Sequence, residues 1–211
     1  MREKDVSSND TVRNRVLTGA LRLFNRKGYA AATVREIVAE AGVTKPVLYY
    51  YFGNKEGVYL DLIRESFAHV DVIIDELDRM EGSVRERILW FTDRIFTLAD
   101  ANIEQVRLMH AIYYGPPRGA PFFDFEAYHR KIQQSVQRLI VEGIGIGEFK
   151  DLGVEEAMWA VVGAFNIAIE VRLCHPEWDL GRAGLVRILG VIFEGISAVP
   201  EEHGSPDTCH T

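Results

Sequence analysis

Three consecutive tyrosines, Tyr49, Tyr50 and Tyr51, follow a lysine and a proline in the stretch TKPVLYYYF at residues 44–52. Successive residues on a helix turn by about 100°, so three adjacent rings cannot share one buried stripe. Leu48 and Phe52, four apart, define the buried side. Pro46, Val47 and Tyr50 then point the opposite way, with Lys45 and Tyr49 on one flank and Tyr51 on the other. At least one ring is left exposed, and an exposed aromatic on a short helix asks for a partner. Phenol hydroxyls and an ammonium group donate to phosphate oxygens, and rings and small apolar groups meet thymine methyls. The chemistry on offer is recognition of a duplex rather than bond making. Lys55 adds a cation where the next helix opens, beside free backbone amides that favour an anion. Thr33 holds the mirror position, at the start of the preceding helix.

The elements that must position these side chains are legible around them. Thr33 and Glu36 have capping-box spacing and open a short helix that ends at Gly42. Thr44 is the N-cap of a second short helix over about 45–52, with Pro46 tolerated in its first turn. Gly42 can take the positive φ that the tight turn between them needs. Ile37, Val38, Ala41, Val43, Leu48 and Phe52 supply a small shared core. This is the shape of a helix-turn-helix, whose second helix enters a major groove. A preceding helix over about 10–27 shows Val12, Val16, Ala20, Leu23 and Phe24 at helical spacing, with Gly28 as its stop. A bland alternative remains, a three-helix packing unit with a tyrosine-rich surface.

Downstream, the spacing predicts six more helices and no strand, an all-α fold of nine helices. They run over about 55–77, 83–99 (opened by a Ser83–Glu86 capping box), 103–114, 124–142, 154–173 and 180–198. Residues 115–121, GPPRGAP, form a loop that cannot be helical. Gly143, Gly145 and Gly147 superficially suggest a phosphate loop, but no strand precedes them and no GK[ST] follows, so they read as a helix-ending turn. The expected organisation is a DNA-binding head at 1–54, ordered from about residue 10, a regulatory and dimerisation body at 55–200, and a disordered polar tail at 201–211.

Charge agrees with a head and a body. Residues 1–57 hold ten Lys/Arg against six Asp/Glu, a net of +4, so the rest of a chain of net charge −7 carries −11. A basic head on an acidic body suits a protein that puts one end on phosphate. No run of 18 or more apolar residues occurs, and the N-terminus lacks the apolar stretch of a signal peptide, so no membrane association and a cytoplasmic location are expected. Cys174 sits in an apolar segment and reads as a buried core thiol, while Cys209 lies in the polar tail; neither suggests a disulfide or a metal. His110 and His129, with Asp124 and Glu126, match no metal spacing. No cofactor motif is present and none is expected.

The stretch ALRLFNRKGYAAATVREIVAEAGVTKPVLYYYFGNKEGVYLDL resembles the DNA-binding domain of the TetR family. The matching features are Ala20, Leu23-Phe24, Gly28-Tyr29, Thr33, Ile37, Ala41-Gly42-Val43, Leu48-Tyr49, Tyr51-Phe52 and Lys55, over about a quarter of the chain. The resemblance implies an all-helical homodimer that represses transcription until a ligand binds, and no enzyme activity. It implies contacts to double-stranded operator DNA from Thr33, Thr44, Lys45, Pro46, Val47, Tyr49, Tyr50, Tyr51 and Lys55. Pro46 stands where the family often has glycine, which bears on operator choice.

The resemblance also assigns dimerisation to the last two helices. Both are apolar over more than one face, as buried helices are, and Gly163 and Gly190 permit close approach; an ordinary monomer core is the alternative. A ligand cavity would lie among helices four to eight. The residues singled out to line it are Trp90, Met109, His110, Tyr113, Phe125, Tyr128, His129, Trp159, Asn166 and Glu170, though most of the aromatics could equally be core. Asn166 and Glu170 share one helix face inside an apolar segment, where they could face a ligand, an arginine such as Arg172 of another chain, or solvent. The aromatic inventory suggests an apolar or aromatic effector, one that shifts the fourth helix and so the spacing of two heads set on successive major grooves of a pseudo-palindrome. The rivals are a helical-bundle enzyme built on Glu170 or His129, which lacks any nucleophile–base pair, and an architectural DNA protein without an effector.

Overall fold

The computed structural model describes residues 3–115, 119–151, 153–178 and 180–197, with side chains from Thr11 onward. Its described elements are nine α-helices and one short 3-10 turn: α1 (Glu3–Lys27), α2 (Val34–Ala41), α3 (Lys45–Phe52), α4 (Lys55–Leu77), α5 (Val84–Ala101), α6 (Ile103–Tyr113), α7 (Phe125–Gly145), α8 (Val154–Cys174), the 3-10 turn Pro176–Trp178, and α9 (Gly181–Ile196). Among the described residues no strand forms beyond an isolated antiparallel bridge between Phe149 and Ser197.

Local chemistry explains most of the boundaries. Both capping boxes are made, Thr33 with Glu36 and Ser83 with Glu86. Gly42 ends α2 at φ 63°, a left-handed conformation that costs a residue with a Cβ and costs glycine nothing. The α5 N-terminus gains a second cap from a distant residue. The carboxylate of Glu148 accepts the Val84 and Arg85 N–H groups, each at 2.8 Å. The largest departures from the sequence expectation are two boundaries and one added turn. α1 begins at Glu3, not near Asp10. α7 runs on to Gly145, because Gly143 is a packing position: a methyl there would lie 2.4 Å from the Phe149 ring. The 3-10 turn at 176–178 had no signal in the pattern. Cys174 is exposed rather than buried, because it closes α8 and its neighbour Leu173 takes the inward position. Cys209 and the tail at 201–211 lie outside the described residues.

The head packs α1, α2 and α3 around Val16, Ala20, Phe24, Ile37, Leu48 and Phe52. α4 belongs to this core as well. Tyr59 is fully buried, with its ring edge-on to Tyr29 at 5.1 Å and to Phe24 at 6.3 Å. Arg13 of α1 reaches Asp61 at 3.0 Å and also pairs with Glu65, both on α4. The second half of α4 enters the body, where Phe67, Val70, Ile73 and Leu77 belong to the core and the helix packs with α5, α6 and α7. α8 is long and apolar enough, by length and composition, to cross a membrane, yet half of its most apolar stretch is buried within the bundle. It packs between α7 and α9 and against α5.

Candidate nucleic-acid interface and internal cavity

α3 is anchored by two side chains. Leu48 and Phe52 are buried, while Thr44, Lys45, Pro46, Tyr49 and Tyr50 are exposed and Val47 and Tyr51 are half-buried. Tyr50 projects furthest, at 78% exposure, and its ring meets that of Tyr51 edge-on at 5.1 Å. The N-cap hydroxyl of Thr44 makes no capping bond, which leaves it available to another acceptor. The outward face of α3 is therefore aromatic and basic on an eight-residue helix, as its wheel predicts.

Thr33 and Lys55 are placed differently from the other residues of this group. The Thr33 hydroxyl donates to Glu36 at 2.7 Å and accepts from the Glu36 N–H at 3.3 Å. Lys27 donates to the same carboxylate at 2.7 Å, and these bonds, that of Lys27 foremost, lower the Glu36 pKa to about 2. Lys55 folds back under the head. Its Nζ donates to the carbonyls of Tyr29 and Ala32, each at 2.9 Å, and lies 4.1 Å from the Tyr29 ring centroid. Burial, and secondarily Lys27, pushes its pKa down. Two of its three ammonium protons thus tie α4 to the loop between α1 and α2, a structural duty that its motif position alone does not reveal.

The body holds a cavity of about 520 Å³ with walls from α4, α5, α6, α7 and α8. Of the side chains expected there, Met109, His110, Tyr113, Phe125, His129, Asn166 and Glu170 line it. Three do not. Trp90 lies on α5 more than a turn before the first lining residue of that helix, Ile95, and faces Arg94 instead. Trp159 is 49% exposed, six residues before Phe165, where α8 first meets the cavity. Tyr128 stands behind the wall, stacked on Phe67 at 3.9 Å. The cavity occupies one end of the bundle, and sequence spacing cannot say which end. Sequence reasoning also missed Ser66, Phe67 and Val70 of α4 and Gln105 and Val106 of α6. The run Ile63, Phe67, Val70 at helical spacing was the available signal for α4.

Several polar groups of the wall are already satisfied. Ser66 donates to the Leu62 carbonyl at 3.1 Å, Asn102 to the Leu98 carbonyl at 2.9 Å, and the Tyr113 hydroxyl to Glu126. That last bond holds the Tyr113 pKa up at about 12. Burial pushes the His129 pKa down against the smaller pull of Glu126, which favours a neutral imidazole. Arg172 pairs with Asp100 of its own chain at 2.5 Å.

Among the described residues head and body meet at two places. α4 is continuous through both. In addition, Asn25 near the end of α1 donates to the backbone carbonyl and the side chain of Glu104 on α6, each at 2.9 Å. α6 also lines the cavity, so both connections begin at its wall.

Residues 16–62 match the family model for bacterial regulatory proteins of the tetR family. The chain is similar to the HTH-type transcriptional repressor AcnR of Corynebacterium glutamicum, at 33% identity over 88 residues, covering 39% of this chain and 47% of AcnR. It spans about half the length of the curated relatives it matches. Among solved structures, the TetR family regulator PfmR from Thermus thermophilus aligns at TM-score 0.70 and 21% identity, covering 89% of this chain and 98% of that one. FadR from Bacillus subtilis, solved in complex with stearoyl-CoA, aligns at TM-score 0.64 and 18% identity, covering 86% of this chain and 98% of that one. At these identities the structural likeness is one of fold.

Proposed function

We propose that the chain, whose residues 16–62 match the family model for bacterial regulatory proteins of the tetR family, is a homodimeric transcriptional repressor released from a pseudo-palindromic operator by a small molecule. The observation that carries the reading is the outward face of α3. An eight-residue helix that buries only Leu48 and Phe52 and turns Lys45, Tyr49 and Tyr50 to solvent has no structural reason for that composition. Such a face fits a major groove, with Tyr50 and Val47 toward base edges and Lys45, Tyr49, Tyr51 and Thr44 toward phosphates. Thr33 then contributes through its exposed position at the α2 start, and Lys55 mainly by fixing the α1–α2 loop that seats the groove-reading helix.

The division of labour follows the helices. The head is 1–54 and the body 55–200, with the first half of α4, through Tyr59, packed into the head core. Two chains would pair through α8 and α9. On that side Ile167, Val186 and Val191 are exposed, and a Cβ added at Gly163 or Gly190 would meet open space. The cavity, in the range of roughly 300–1,000 Å³ common for small-molecule sites, would take the effector. A ligand bound better in the state whose heads do not fit the operator shifts the protein off DNA. α4 and the Asn25–Glu104 contact are the two physical links through which the cavity can move the heads.

The test is a fluorescence-anisotropy titration against DNA from upstream of the protein's own gene, beside a scrambled duplex, at physiological salt. A site-specific repressor prefers the first by about 10³-fold or more. Tyr50→Ala should weaken that binding with the fold intact. It is a cleaner variant than Lys55→Ala, which also opens the loop. Equal affinity for both duplexes would sink the repressor reading in favour of an architectural DNA protein.

A further inference from the structure

We propose that the cavity takes an amphipathic cation, its positive head held against Glu170 and Asn166 of α8 and its apolar part along the aromatic wall. The proposal rests on the reading of this cavity as the effector site and specifies its chemistry. Among the described lining residues Glu170 is the only side chain with a fixed charge, and no lysine or arginine lines the wall. Glu170 and Asn166 sit one helical turn apart, and neither makes an ion pair or hydrogen bond among the described residues.

The nearby cations are engaged elsewhere. Arg172, two residues from Glu170, is paired with Asp100 at 2.5 Å. Arg107 on α6 is held by Glu104 at 3.6 Å and by the Leu173 carbonyl at 3.5 Å. Glu126, behind Tyr113, adds a further negative charge at the other end of the wall.

The Glu170 and Asn166 side chains are both solvent-exposed, at the open side of the cavity, where water solvates the Glu170 carboxylate. A ligand that fills the cavity displaces that water, and a carboxylate stripped of water needs a counter-charge or a donor. A cationic head supplies one. A fatty carboxylate or a phosphate would place like charges together with no lysine or arginine among the described lining residues to offset them. The remaining wall includes the aromatic side chains of Phe67, Tyr113, Tyr114 and Phe125, and an aromatic face that a ligand reaches attracts a cation rather than an anion. The stearoyl-CoA seen in FadR carries the opposite charge, so a shared fold is here combined with an opposite ligand preference.

Calorimetry of the full-length protein, without DNA, tests this with three probes of one tail: octyltrimethylammonium, octanol and octanoate, each below its micelle concentration. The cation should bind about tenfold or more tighter than octanoate, an order set by an ion pair plus ring contacts. Glu170→Gln, with its melting curve checked against the parent, should cut the preference for the cation over octanoate by about threefold or more and leave octanol unchanged. Octanoate binding as tightly as the cation, a preference undiminished in Glu170→Gln, or no binding of any probe overturns the proposal. Cation binding that leaves the operator complex intact in the anisotropy assay overturns the effector role instead, and supports the charge preference.

Discussion

Tyr59 carries its hydroxyl into the head core, fully buried and with no hydrogen-bond partner among the described residues. Burial, and secondarily Tyr29, drives its pKa up to about 12, so the phenol stays protonated at any physiological pH. A buried donor without a partner forfeits its hydration, at a cost of about 1–3 kcal/mol. The ring itself is well used against Tyr29 and Phe24. Tyr59→Phe keeps the ring and removes the orphan, so it should raise stability by about 1 kcal/mol, read as a shift in melting temperature of roughly 2–4 °C. A loss of stability of that size would show that the hydroxyl is bonded in solution. Lys55 teaches the complementary lesson. A lysine at a helix start suggests an anion site, but two carbonyls and a ring 4.1 Å away have already engaged this one. Its partners, Tyr29 and Ala32, lie more than 20 positions earlier in the chain, a separation that no local pattern reports.

Between α3 and α4 a short corner sets the angle at which α3 leaves α4. Gly53 takes φ 73°, and Asn54 caps α4 by accepting the Gly57 N–H at 2.8 Å. Gly57 has an ordinary backbone conformation but no room, since a methyl there would fall 1.9 Å from the Phe52 carbonyl oxygen. Backbone cannot give way as a flexible side chain can, so Gly57→Ala must open the corner. The expected cost is about 1–3 kcal/mol of stability, seen in a urea melt, together with weaker operator binding because α3 is re-aimed. Unchanged stability and binding would mean that the corner is looser than its geometry indicates. The local signals at this scale were strong. Thr33 with Glu36 and Ser83 with Glu86 announced two helix starts, because a capping box is satisfied within four residues. Gly143 misled for the opposite reason: it reads as a stop, yet the Phe149 ring that requires a glycine there comes from beyond the helix end.

For the whole molecule the unexplained surface is the side of α8 and α9 that carries Ile167, Val186 and Val191, of which Val191 is 70% exposed. If two chains meet there, Val191→Glu places a carboxylate in an apolar interface and should give a monomer by light scattering. Operator affinity should then fall by about 10²-fold or more, because two heads no longer share one binding event. A dimer that survives Val191→Glu would move the interface elsewhere. The body is also tied by ion pairs across helices, Lys131 with Asp71 and Arg138 with Asp78 between α7 and α4, and Arg87 with Glu142 between α5 and α7. Such exposed pairs contribute little each, and they fix register more than stability.

The sequence by itself determined the all-helical class, the helix-turn-helix and the outward face of α3. Each depends on periodicity, caps and turn glycines, which are properties of a few neighbouring residues. Tertiary structure alone decided which aromatics face the cavity and which are core. It separated Met109, His110, Tyr113 and Phe125, which line the wall, from Trp90, Tyr128 and Trp159, which do not. It also decided that Lys55 is a clamp, that Asn25 touches Glu104, and that Glu170 lines the wall with no side-chain partner among the described residues. These facts depend on how far along its neighbours each helix sits. A helical wheel gives the side on which a residue lies, but not the height at which another helix crosses it.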